Sequence, residues 1–119
     1  MWTPIRFSEL YDKIIWTENR LTGEHDGFWK LIKIVPEKWP EIHYAPSGDG
    51  FWVVAICGYR VIWYNDIEEG FYISRYHKYG EIDENWSGQS ELENAIAILY
   101  NCIKHPDDFF IQTGPSQNL

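Results

Sequence analysis

The sequence predicts an α+β domain, in which a single antiparallel sheet of three to five strands packs against an N-terminal and a C-terminal helix. Two observations predict this class: the segment 51–64 has the pattern of a β-hairpin, and segments before and after it have amphipathic helical spacing. The chain has 119 residues, 45% of them hydrophobic, which is enough for one domain with its own core. We assign residues 1–112 to this domain and expect 113–119 to form a flexible tail.

The first helix is predicted near the N-terminus. Thr3 suits the N-cap position and Pro4 the first helical position. The apolar stripe that follows has the helical spacing i, i+3, i+4, i+7, i+8 and comprises Phe7, Leu10, Tyr11, Ile14 and Ile15. We expect the helix to fade by residues 22–23, and we interpret residues 24–27 (EHDG) as a turn.

The segment FWKLIKIV (28–35) fits two structures. Its apolar residues have helical spacing, but the segment is short and β-branched towards its end, so we favour a strand that Pro36 ends. Residues 36–50 contain three prolines and two glycines and are predicted to be a loop with at most one helical turn.

The hairpin is the clearest element. Strands are predicted at 51–56 and 59–64, joined by Cys57-Gly58. Strict alternation places two apolar sets on opposite faces of the first strand: Phe51, Val53 and Ala55 on one face, and Trp52, Val54 and Ile56 on the other. Because both faces are apolar, this strand pair must be central and covered on each side, by helices of this chain or by a second copy.

The remaining elements follow from local patterns. Residues 71–78 predict a further strand, and residues 81–86 an acidic link. The last helix is predicted to begin at the capping box formed by Ser90 and Glu93 and to end before Pro106. Its buried stripe is predicted to comprise Leu92, Ala95, Ile96, Leu99, Cys102 and Ile103.

The net charge of −8 at pH 7 is concentrated in one region, because residues 65–93 contain eight acids and two bases. Such a region repels nucleic acid and anionic membranes, so we expect neither as a partner, and it attracts a basic protein. We find no export signal or membrane span, and the two cysteines lack CxxC spacing. A reduced, cytoplasmic protein is the simplest interpretation, with a Cys57–Cys102 disulfide as the alternative.

The acids after the hairpin are the first candidates for chemistry. Asp66, Glu68 and Glu69 could form an acid–base pair, bind a metal or form a solvated turn. Their spacing differs from that of a calcium loop, and the four histidines lack the spacing of a zinc site. Neither cysteine nor any serine lies in a nucleophile motif. The sequence therefore predicts no enzyme and no cofactor.

A surface that binds a protein partner remains the favoured interpretation of the acidic region. The predicted surface comprises Asp66, Glu68, Glu69, Glu81, Asp83, Glu84 and Trp86. The carboxylates would attract a basic partner, and Trp86 would anchor the centre of the contact. Burial in the domain is the simplest interpretation of both Trp39 and Trp86, and an exposed ring that contacts a partner is the other.

The string FWVVAICGYRVIWYNDIEEGF, with the later GEIDENW and SGQSEL, resembles a recurring group of small bacterial proteins with no assigned activity. This resemblance covers roughly residues 27–100. In size, acidity and lack of catalytic motifs the chain is also similar to immunity proteins, which implies that it inhibits a basic toxin domain by covering the active site. The alternatives are an obligate homodimer or assembly component, and a protein that binds a metal or small ligand through residues 66–69.

Overall fold

A computed structural model of the protein describes residues 3–41, 50–89 and 91–105, without the side chains of residues 84–87 and 89. In chain order the elements are α1 (Phe7–Glu18), α2 (Gly23–Ile32), β1 (Lys33–Trp39), β2 (Phe51–Cys57), β3 (Arg60–Asn65), β4 (Gly70–Arg75), β5 (Glu84–Gln89) and α3 (Leu92–Lys104). The strands are antiparallel, and each pairs with the next strand in the chain, so that the sheet order is β1-β2-β3-β4-β5. The predicted α+β class is confirmed.

The helices cover one face of the sheet. The helical side chains in this core are Leu10, Ile14, Trp29, Ile32, Leu92, Ala95, Ile96, Leu99 and Cys102. They pack against apolar side chains of the three central strands, among them Val54, Ile62 and Ile73. Burying these apolar surfaces supplies the main stabilisation of the domain.

The opposite face of the sheet has a second core cluster. It comprises Trp39, Phe51, Val53, Val61, Trp63 and Ile82, each at most 1% exposed in the single chain. The buried indole N–H of Trp63 donates to Ser74 Oγ at 2.9 Å, so its polar atom is satisfied. The β2–β3 pair is therefore buried on both faces, as predicted, and this burial does not require a second copy of the chain.

A β-bulge in β2 changes the predicted alternation. Val53 lies opposite Trp63, whereas Ala55 lies opposite the adjacent residue of β3, so β2 has one extra residue in this stretch. Ala55 therefore belongs to the cluster under the helices, and Ile56 packs against the second cluster. The predicted faces of these two residues are wrong, because the two-residue period does not continue through a bulge.

Helix α2 replaces the predicted turn at 24–27 and most of the predicted strand at 28–35. Trp29 and Ile32 are buried, and Phe28 packs beside them, so the helical spacing of this segment determines its structure. The preference for a strand is wrong up to residue 32, and it holds only for the β-branched end, which lies in β1.

Strand β1 continues through Pro36 to Trp39, where the sequence predicts a loop. Pro36 is tolerated because β1 is an edge strand, where a missing N–H breaks no pairing on the outer side. The register also shifts between Lys33 and Glu37, which leaves Val35 81% exposed.

Helix α1 begins at Phe7, after the N-cap Arg6, and not at the predicted Thr3-Pro4 start. Glu9 Oε1 accepts the Arg6 N–H at 3.1 Å, so a carboxylate caps the helix in place of the predicted threonine. Of the predicted stripe, the two members that are buried are Leu10 and Ile14, while Phe7, Tyr11 and Ile15 are exposed.

In the C-terminal half, the observed elements differ less from the predicted ones. The predicted acidic link at 81–86 contains the start of β5, and the predicted strand at 71–78 ends at Arg75. Helix α3 buries its predicted stripe except for Ile103, which is 49% exposed. Ser90, Pro106 and the predicted tail at 113–119 lie outside the described residues.

Substitution of Gly50 tests the close approach of the end of β1 to the start of β2. Its φ is +78°, and a Cβ at this position would overlap the Trp39 carbonyl group. Because backbone atoms cannot move aside, we expect Gly50→Ala to lower the free energy of unfolding by about 2 kcal/mol or more, measured by urea unfolding.

Gly27→Ala is the matched control. A Cβ there meets nothing within 4 Å, and the position lies inside α2, so the change should stabilise the protein by about 0.5–1 kcal/mol. A Gly50→Ala protein as stable as the wild type would contradict the described contact.

Candidate protein-binding surface

The acidic segment after β3 is a tight turn that Asn65 organises. Asn65 pairs with Gly70 at the base of the turn, and its Oδ1 accepts the N–H groups of Ile67 at 3.0 Å and Glu68 at 3.1 Å. Glu69 closes the turn with a left-handed φ of +57°. Asn65 is only 3% exposed, so a buried amide terminates the apolar strand and the carboxylates follow outside the core.

The three acids of the turn differ in their surroundings. Asp66 is half-buried, and its Oδ2 accepts the Ile5 N–H at 2.8 Å, which attaches the segment before α1 to the turn. Glu68 and Glu69 are exposed. Catalysis by paired carboxylates depends on burial in a shared pocket, and these two side chains are exposed.

The other predicted site residues lie at the opposite end of β4. At about 3.4 Å per residue, this strand separates Glu81 and Asp83 from the turn by roughly 17 Å. Glu81 is exposed, and the Asp83 carboxylate contacts the His77 ring. The structure therefore divides the predicted acidic surface between two ends of the sheet.

The last two predicted residues and Trp39 lie in strands. Glu84 begins β5 opposite Arg75, and Trp86 follows in the same strand. The side chains of Glu84 and Trp86 lie outside the described part of the chain. Trp39 is buried in the second core cluster, which confirms the burial predicted for it.

Instead, the turn lies beside acids of α1 and of the start of α3. Two adjoining grooves, of about 430 and 510 Å³, share Asp12, Lys13 and Glu69. We call their charged and aromatic lining the acidic groove, which comprises Glu9, Asp12, Lys13, Trp16, Tyr64, Asp66, Glu69, Phe71 and Glu91. The four residues from α1 have the spacing i, i+3, i+4, i+7 and so lie on one side of that helix.

Five carboxylates line the acidic groove, and three of them are both exposed and without an ion pair among the described residues. Asp12, Glu69 and Glu91 are exposed and form no ion pair within the described residues. Other acids of the described surface are paired, such as Glu18 with Lys33 at 2.8 Å. The groove therefore has a net negative charge, with five carboxylates against Lys13.

Tyr64 and Lys13 lie in the same region. The Lys13 ammonium is 5.7 Å from the centroid of the Tyr64 ring. Burial raises the pKa of Tyr64, and the negative charges of Glu69 and Asp66 raise it further. This direction agrees with an excess of negative charge around the phenol.

Trp16 gives the acidic groove an exposed aromatic ring. The ring is 50% exposed, and the guanidinium carbon of Arg20 lies 4.6 Å from its centroid. Arg20 is in turn held by Glu93 at 2.8 Å, so the indole is supported on one side. A large exposed aromatic side chain beside uncompensated charge is typical of an interface anchor.

A third groove, of about 370 Å³, lies on the other side of α1. We call it the apolar groove, and its lining comprises Phe7, Tyr11, Ile14, Glu18, Trp29, Lys33, Ile34, Val35 and Pro36. Glu18 Oε2 accepts both the Trp29 indole N–H and the Lys33 ammonium at 2.8 Å. Burial raises the pKa of Glu18, but the hydrogen bonds from Lys33 and Trp29 outweigh it, so its pKa lies below the ordinary 4.5.

Metal sites, membrane spans and reactive cysteines are the other candidate features of the described ranges 3–41, 50–89 and 91–105. In these ranges no three His, Cys, Asp or Glu side chains are grouped so that they could hold a metal ion, and no helix has the length and apolarity to cross a membrane. Cys57 and Cys102 are free. Burial raises the pKa of both thiols, that of Cys102 to about 11, which disfavours the nucleophilic thiolate.

Comparisons of the chain with protein-family models, with curated proteins and with solved structures found no match. The resemblance carried by the segment 51–71 therefore stays a prediction.

Asn65→Ala tests whether the turn depends on its buried amide. The change leaves two backbone N–H groups without their acceptor, so the free energy of unfolding should fall by about 2 kcal/mol in urea. Glu68→Gln, at an exposed position of the same turn, should change it by less than about 0.5 kcal/mol. Equal losses in the two variants would show that Asn65 does not organise the turn.

Glu18 should make stability depend on pH. Its pKa is lower in the folded state, so its contribution is present above the ordinary pKa of 4.5 and is lost as the pH falls through the folded value. We expect Glu18→Gln to lower the stability at neutral pH. The stability of this variant should also change less than that of the wild type between about pH 6 and pH 3, as measured by thermal unfolding at each pH.

Lys33→Gln removes the cationic partner of Glu18 and should flatten the same profile in part. The double variant should lose less than the sum of the single losses, because both changes remove the same contact. A Glu18→Gln profile parallel to that of the wild type would contradict the assigned role.

Proposed function

We propose that this protein is a small acidic binding protein that neutralises a basic toxin domain, in the manner of an immunity protein. The observation that supports this proposal is the acidic groove, in which the exposed Asp12, Glu69 and Glu91 have no ion-pair partner in the described part of the chain. Such a groove has the charge to receive lysine and arginine side chains.

The inhibition would be steric and electrostatic. The cationic side chains with which a toxin holds its substrate would enter the acidic groove and become inaccessible. Their aliphatic stems would pack on the exposed ring of Trp16, which lines the same groove. Complementary charge would accelerate association and make it sensitive to salt.

Only some of the predicted site residues take part in this mechanism. Asp66 and Glu69 of the predicted surface belong to the acidic groove, and Asp12, Trp16 and Glu91 complete it. Trp16 takes the anchoring role that the sequence assigned to Trp86.

The proposal requires no catalytic residue and no cofactor in this chain. Its net charge of −8 opposes contact with nucleic acid or an anionic membrane. The free cysteines fit a cytoplasmic location, where thiols stay reduced.

The test is capture of a basic protein from the native host by the immobilised chain. We expect recovery at about 0.05 M NaCl and loss at about 0.5 M, because screening weakens charge attraction. The captured protein, once purified, should lose its activity when the wild-type chain is added. Asp12→Lys combined with Glu69→Lys should weaken binding at least about tenfold.

Glu81→Lys is the matched control, because it changes charge by the same amount per site at the opposite end of β4. It should leave binding within about twofold of the wild type. The proposal fails if the Asp12→Lys/Glu69→Lys variant captures the partner as fully as the wild type does. It also fails if the wild-type chain does not inhibit the captured protein. Circular dichroism confirms that each variant is folded.

A further inference from the structure

The outer edge of β5 presents backbone groups that no described strand pairs with. Strand β5 lies at the end of the sheet, and among the described residues it pairs with β4 alone. Alternate residues of an edge strand direct their N–H and C=O groups away from the neighbouring strand. Gly88, in the second half of β5, is exposed. The edge is therefore open to solvent at this point.

The other edge of the sheet is protected against strand addition. Strand β1 contains Pro36, which lacks an N–H, and its register shifts between Lys33 and Glu37. Both features hinder pairing with a further strand. Strand β5 (ENWSGQ) contains no proline and no lysine, the residues that natural proteins commonly place on edge strands for this purpose. Of the two edges, β5 is therefore the one that suits an added strand.

A β-bulge limits the length of regular pairing along β5. The register against β4 shifts at Trp86, which is an extra residue in β5. The longer regular stretch is the one after the bulge, from Ser87 to Gln89. A strand added along so short a stretch would gain few hydrogen bonds, so its binding needs a further source of free energy.

Charge supplies this source for a basic segment. Residues 79–103 contain five acids and neither lysine nor arginine. The regular stretch of β5 also ends beside the acidic groove, because Gln89 lies opposite Phe71, which lines that groove. Glu91, a further residue of the groove, follows two positions later in the chain. A segment with lysine or arginine side chains would therefore be attracted along the whole edge.

The same charges oppose a second copy of this chain at the edge. Pairing of β5 with β5 would bring two acidic segments together, and each molecule carries a net charge of −8. An extended segment without basic side chains would have only the few backbone hydrogen bonds. The edge and its charge together therefore select an extended basic segment of another protein.

We infer that β5 binds an extended segment of the basic partner, rich in lysine or arginine, which adds a strand to the sheet and leads its cationic side chains towards the acidic groove. This inference rests on the proposed function for the identity of the partner, and it adds the way in which that partner docks. Backbone pairing fixes the position of the segment, and charge supplies most of the attraction.

A synthetic peptide of alternating lysine and threonine, about seven residues long to match β5, tests the inference by calorimetric titration. At about 0.05 M NaCl we expect the wild-type chain to bind it with a dissociation constant below about 1 mM. The same peptide with every backbone amide N-methylated keeps its charge but loses its N–H donors, so it should bind at least about tenfold more weakly. A peptide with glutamate in place of lysine should not bind.

Hydrogen exchange of the backbone amides, followed by NMR, locates the bound peptide. It should slow exchange in β5 and leave β1, the matched edge, unchanged. The inference is wrong if the lysine peptide does not bind, if the methylated peptide binds equally well, or if the slowed amides lie in β1 and not in β5.

The same measurements separate this inference from the proposed function. If the captured basic protein is inhibited but leaves the β5 amides unprotected in its complex, the inference fails and the proposed function stands. If the lysine peptide binds along β5 but the captured protein is not inhibited, the proposed function fails and β5 remains a site for extended basic segments.

Discussion

Burial of a strand pair that is apolar on both faces is the constraint on which the rest of this structure depends. Neither face of β2 and β3 can remain in water, so α1, α2 and α3 assemble over one face and the cluster around Trp39 and Trp63 packs on the other. Strands β1 and β4 flank the pair and satisfy its outer hydrogen-bonding groups. The acidic turn after β3 and the charged side of α1 lie outside both clusters.

The fold could be predicted where a local pattern matched its element. The hairpin and α3 follow from periods of 2 and 3.6, and both are present. The segment 28–35 fits both periods, and its first part is helical because Trp29 packs into the core from α2. Strand β5 has no apolar alternation in ENWSGQ, so it depends on pairing with β4, which no local pattern records. The bulge that redirects Ala55 is likewise a property of two strands together.

The candidate site could be predicted in part. The turn acids were visible because they follow an apolar strand directly. The proximity of the turn acids to α1 could not be predicted, because Asp12 and Glu69 are far apart in sequence and meet only through tertiary packing. Trp16 could be placed only once the neighbours of α1 were known. Helix α1 separates the acidic groove from the apolar groove, and molecules that bind in these two grooves would differ in chemistry.

The sequential order of the strands affects how the chain folds during synthesis. Each strand pairs with the one made just before it, so no pairing must wait for a distant segment, and the entropy lost in closing each loop is small. Helices α1 and α2 leave the ribosome before the apolar strands β2 and β3, and can shelter one of their faces as they emerge. Helix α3 follows the strands in the chain and completes this cover.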